Sequence, residues 1–67
     1  MTDQEYLESY RADCNFAAQD TKNAADYAAY NFSKGEDEKA IEYAKRAEAA
    51  CVRMMGCINS LQKWIAK

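Results

Sequence analysis

The chain has no proline and no histidine, and glycine occurs only twice, at Gly35 and Gly56. Without proline, no residue forces an α-helix to end by losing its amide donor. Without histidine, the usual near-neutral general base and the commonest metal ligand are both missing. Cysteine is sparse and odd in number, with three residues, which does not suit a closed disulfide framework. Cys51 and Cys57 do not have the Cys-x-x-Cys spacing of a zinc site, and no fourth soft ligand accompanies them. There is no glycine-rich phosphate loop; Ser33-Lys34-Gly35-Glu36 reads as a turn. Asp13 and Asp20 stand roughly 10 Å apart along a helix, the spacing of a solvated face rather than of an acid–base pair. These absences predict no enzymatic activity, no cofactor and no bound metal. No run approaches the ~18 apolar residues of a membrane span. Met1-Thr2-Asp3-Gln4-Glu5 lacks the basic and apolar regions of a signal peptide. The expectation is a cytoplasmic protein, away from membranes, with reduced thiols.

What is present favours helix. Within 67 residues, a length for one domain, alanine, glutamate and lysine are abundant, and with glutamine, methionine and leucine they are residues that form helices readily. A core this small supplies only about 3–5 kcal/mol, so partners or staples are common at this size. The net charge of −2 gives no general attraction to nucleic acid. That charge is uneven. Acids at Asp3, Glu5, Glu8, Asp13, Asp20 and Asp26 outweigh Arg11 and Lys22 early in the chain. Later, Lys45, Arg46, Arg53, Lys63 and Lys67 outweigh Glu42 and Glu48. An acidic segment followed by a basic one favours antiparallel pairing.

Thr2 and Glu5 have the spacing of a capping box, which starts a helix. The predicted fold is all-α: an antiparallel two-helix hairpin with helices over about 3–32 and about 36–65 and a turn at 33–36. Gly35 is expected to take the left-handed conformation that ends the first helix. Gly56 weakens the second helix by roughly 1 kcal/mol relative to alanine. Each helix carries a heptad. Leu7, Tyr10, Cys14, Ala17, Thr21, Ala24 and Ala28 form one seam. Ala40, Ala44, Ala47, Cys51, Met54, Ile58, Leu61 and Ile65 form the other. Such seams pack knobs into holes. A turn at Gly35 sets Ala28 against Ala40, Cys14 against Met54, Tyr10 against Ile58 and Leu7 against Leu61.

Residues 28–47 resemble a single tetratricopeptide repeat. Ala28, Gly35, Ala40 and Ala47 stand at that repeat's spacing, and Ala40-Ile41-Glu42-Tyr43 reads like its second helix. The resemblance implies a packed helix hairpin. Asn31 and Asp37 depart from it where the family carries aromatic residues, and one repeat cannot form the groove of a solenoid, which takes at least about three. The overall layout is also similar to Rop-type hairpins, which dimerise, with no shared motif.

Two flanks border the seam. One carries Ala18, Ala25, Phe32, Ile41, Met55 and, further round, Val52. It either widens the core or pairs with a second copy to form a homodimeric four-helix bundle. The other carries Tyr6, Asp13, Asp20 and Tyr27 opposite Tyr43, Ala50, Cys57 and Trp64, with Phe16 and Tyr30 on one edge and Arg46 and Arg53 on the other. The register places Tyr6 near Trp64 and Tyr27 near Tyr43. These rings either cap the seam or anchor a protein partner, a role that tyrosine, tryptophan and arginine favour. The leading expectation is a non-catalytic protein–protein interaction module that binds or occludes a larger partner. One alternative is a phage- or mobile-element-encoded inhibitor of a host defence complex, of the anti-CRISPR type. Another is a Rop-like nucleic-acid-binding homodimer using the basic second helix, which the neighbouring acids disfavour.

Overall fold

The computed structural model describes residues 2–66. Two helices, α1 (Asp3–Ser33) and α2 (Asp37–Ile65), lie side by side in a rod of 49 × 14 × 14 Å. The start of α1 follows from local chemistry. The Glu5 amide donates to Thr2 Oγ1 at 3.2 Å, and the Thr2 amide donates to Glu5 Oε1 at 3.4 Å. Two amides with no partner inside the helix are thereby satisfied. Asp3 and Glu5 sit in the same first turn, where a carboxylate meets the positive end of the helix dipole.

The chain reverses at a Schellman motif. The Glu36 amide donates to the Asn31 carbonyl at 2.9 Å and the Gly35 amide to the Phe32 carbonyl at 3.1 Å. Gly35 takes φ 76°, a conformation that a Cβ makes costly. Asp37 and Glu38 then open α2 in its first turn, with no side-chain hydrogen bond capping it.

The α1 seam lies where its heptad puts it. Ala17 and Ala28 are buried, and Leu7, Tyr10, Cys14, Thr21 and Ala24 are half-buried. Polar members of the seam are satisfied by their own helix. Thr21 Oγ1 donates to the Ala17 carbonyl at 2.8 Å, and the buried Asn31 donates through Nδ2 to the Tyr27 carbonyl at 2.8 Å.

The α2 seam differs from the heptad reading. Ala40, Ala47, Cys51, Met54 and Leu61 do face α1, but Ala44, Ile58 and Ile65 are exposed. In their place Ala50 is buried, and Tyr43, Cys57 and Trp64 are half-buried. The helix is turned by one row toward its aromatic side. Energetics explain the choice, because an aromatic ring buries far more apolar area than Ala44 or Ile65 offers. Across the seam Tyr10 meets Trp64, with ring centroids 6.3 Å apart, and Cys14 has Cys57 as a neighbour. Among the described residues, the buried apolar positions are all alanines and no large side chain is fully covered. The core is consequently thin, and much apolar side chain is left outside it.

Candidate functional site

The exposed large side chains sort by flank. Tyr6, Phe16, Tyr27 and Tyr30 project beside the row Tyr6–Asp13–Asp20–Tyr27 of α1, whereas Phe32, Ile41, Met55, Ile58 and Ile65 lie toward the opposite side. The large apolar side chains of the first flank are aromatic; those of the second are aliphatic apart from Phe32, with Arg11 and Glu48 in the same helix rows.

The aromatic flank holds an open groove of about 570 Å³ between the helices. Ala24, Ala49 and Ala50 contribute small side chains to its lining, together with Asn23. The recess follows from these residue sizes, since alanine on both helices leaves the space that larger neighbours enclose. Tyr27 and Tyr43 bound it toward the turn, meeting edge-on with centroids 4.5 Å apart. Tyr30 extends this aromatic wall, 6.0 Å from Tyr27. At the other end Arg53 donates from Nη2 to Asp20 Oδ2 at 2.9 Å, a bond that joins the two helices. The Arg53 guanidinium also lies 5.8 Å from the centre of the Phe16 ring. Arg46 stands between, 5.0 Å from the Tyr43 ring and 3.3 Å from Glu42. Both ion pairs are more than half exposed, so each contributes only about 0–1 kcal/mol. Their main effect is to hold planar cations over rings.

The expected set of partner-binding residues is therefore divided in space. Asp20, Tyr27, Tyr43, Arg46 and Arg53 line the groove, and Phe16 and Tyr30 join its rim. Tyr6 and Trp64 form a separate stack at the open end of the hairpin, with centroids 5.0 Å apart and planes 21° apart. Asp13 is exposed between the two clusters. Asn23 and Ala49 are groove residues that sequence reasoning did not single out. Asn23 shares a helix row with Phe16 and Tyr30, seven residues from each, and that row was the available signal.

Ala18, Ala25, Phe32, Ile41 and Met55 are exposed along the aliphatic flank. Val52 is exposed too, but its heptad position is the one farthest from the seam, so it belongs to the outer surface of α2. Ile58 and Ile65, left out of the seam, extend the aliphatic flank instead.

Cys14, Cys51 and Cys57 are free thiols, all half-buried. Loss of hydration raises the Cys14 pKa above the ordinary thiol value, and neighbouring Cys57 and the Asp13 carboxylate push it the same way. Cys14 is thus a weak nucleophile at neutral pH. Among the described residues, no three of histidine, cysteine, aspartate and glutamate gather as a metal site requires. No described helix is long and apolar enough to cross a membrane.

No protein-family model matches the chain, and no curated protein or solved structure shows significant similarity to it.

Proposed function

We propose that the chain is a non-catalytic protein-binding module that engages a larger protein through the aromatic and arginine-bearing groove. One observation carries this reading. Two tyrosines and two arginines converge on a concave alanine floor, while much of their surface stays open to a partner. Tyrosine and arginine concentrate binding energy when a partner excludes water from them. The ion pairs and ring contacts already orient these side chains, which lowers the entropy lost on docking. The free thiols suit a reducing, cytoplasmic setting.

Such a module acts by occlusion, covering a functional surface of its target. A phage- or mobile-element-encoded inhibitor is one biological form of that action. The nucleic-acid alternative has less support, since Arg46 and Arg53 are each beside a carboxylate, Glu42 and Asp20. The test is affinity capture with the wild-type chain and a Tyr27→Ala/Arg53→Ala variant that retains its helical circular dichroism. The wild type is expected to retain a specific partner that the variant loses. Equal recovery of every captured protein by both would remove the groove assignment.

A further inference from the structure

We infer that the aliphatic flank is the interface with a second copy of this chain, so that the working unit is a four-helix dimer. The argument starts from area. A folded monomer of 7.6 kDa is expected to expose about 4,300 Å², whereas the hairpin exposes 5032 Å². The excess of about 700 Å² approaches the ~800 Å² that each partner loses in a standard interface. An isolated pair of helices has no second layer to supply that cover.

Part of this exposed apolar surface lies on the aliphatic flank. Met55 is 59% exposed and Ile65 68%, and Phe32, Ile41 and Ile58 accompany them on the same flank. Ala18, Ala25 and Ala44 leave the middle of that flank low, so helices of two copies can approach closely there. Charges of both signs stand in and beside it, with Arg11 and Glu48 in its own helix rows and Glu8 and Lys22 in the neighbouring row of α1. A flank bearing both signs can complement itself under a two-fold axis, as an isologous dimer requires. The proposal is independent of the groove reading, because the groove occupies the opposite flank. Dimerisation through the aliphatic side leaves both grooves facing outward and makes the assembly bivalent toward its target.

Sedimentation equilibrium on the full chain, from micromolar to millimolar, tests this. The wild type is expected at twice 7.6 kDa, and Met55→Glu and Ile65→Glu are each expected to raise the dimer dissociation constant at least tenfold. Both positions are more than half exposed, so either variant can stand in if the other loses helical circular dichroism. Phe16→Glu, on the aromatic flank, is expected to dimerise like the wild type. A wild-type mass of 7.6 kDa throughout overturns the proposal, and it would assign the flank to a different protein or to solvent. A dimer that Phe16→Glu dissociates and Met55→Glu leaves intact also overturns it.

Discussion

The same substitution, glycine to alanine, is expected to change stability in opposite directions at the chain's two glycines. At Gly56 the backbone is helical, and an added Cβ would have no atom within 4 Å apart from its own helix. Alanine there gains about 1 kcal/mol from intrinsic helix propensity, with no clash to subtract. At Gly35, φ is +76°. A Cβ at that φ costs roughly 1–2 kcal/mol, although the space around it is equally empty. Steric room is thus held constant between the two sites, and only backbone conformation differs. For a domain of this size about 1 kcal/mol moves Tm by roughly 4–8 °C. Thermal unfolding by circular dichroism, at one protein concentration for all variants, is expected to place Gly56→Ala above the wild type and Gly35→Ala below it. Stabilisation by Gly35→Ala would refute the reasoning, because it would mean that the helix continues through the turn.

Two further outcomes follow from the packing. Trp64 stacks on Tyr6 and borders Tyr10 in the seam, whereas Ile65 beside it lies outside. In a Met55→Glu background, chosen to exclude the proposed self-association, Trp64→Ala is expected to cost about 2–3 kcal/mol and Ile65→Ala less than about 0.5 kcal/mol; urea titration reads both, and a reversed order would mean that α2 presents its other row. The raised Cys14 pKa means that the folded chain holds this proton more tightly than the unfolded chain does. Its contribution to stability is present below the ordinary thiol pKa and is lost as pH rises through the folded value. Thiol labelling resolved by peptide mass spectrometry is accordingly expected to modify Cys14 at higher pH in the folded chain than in the urea-unfolded chain, and modification at the same or a lower pH in the folded chain would contradict the assignment.

Much of the hairpin is legible in the residues themselves. The Thr2–Glu5 capping box, the Gly35 reversal and the α1 seam need only local chemistry and one clean heptad. In α2 the heptad is not unique. Ala40, Ala47, Met54 and Leu61 are bordered by Ala44, Cys51, Ile58 and Ile65 on one side and by Tyr43, Ala50, Cys57 and Trp64 on the other. Both rows are apolar, so periodicity alone cannot choose between them. The choice comes from across the seam, where Tyr6, Tyr10 and Tyr27 offer rings for Trp64 and Tyr43 to pack on.

The groove shows the same division. Tyr6 near Trp64 and Tyr27 near Tyr43 could be read from register. The bond from Arg53 to Asp20 could not, since it depends on where a long side chain reaches once α2 has turned. Asn23 and Ala49 carry no signal of their own; they matter because larger neighbours leave a hollow above small residues. Val52, read from the sequence as further round from the aliphatic flank, lies on the outer surface once α2 turns Tyr43, Ala50, Cys57 and Trp64 toward α1.

A photoreactive phenylalanine analogue placed at Asn23, inside the groove, or at Lys45, exposed outside it, probes the binding claim in the cell. Irradiation is predicted to yield a discrete covalent adduct with one larger protein from Asn23 and none from Lys45. An adduct from Lys45 alone, or the same adducts from both positions, would contradict the account.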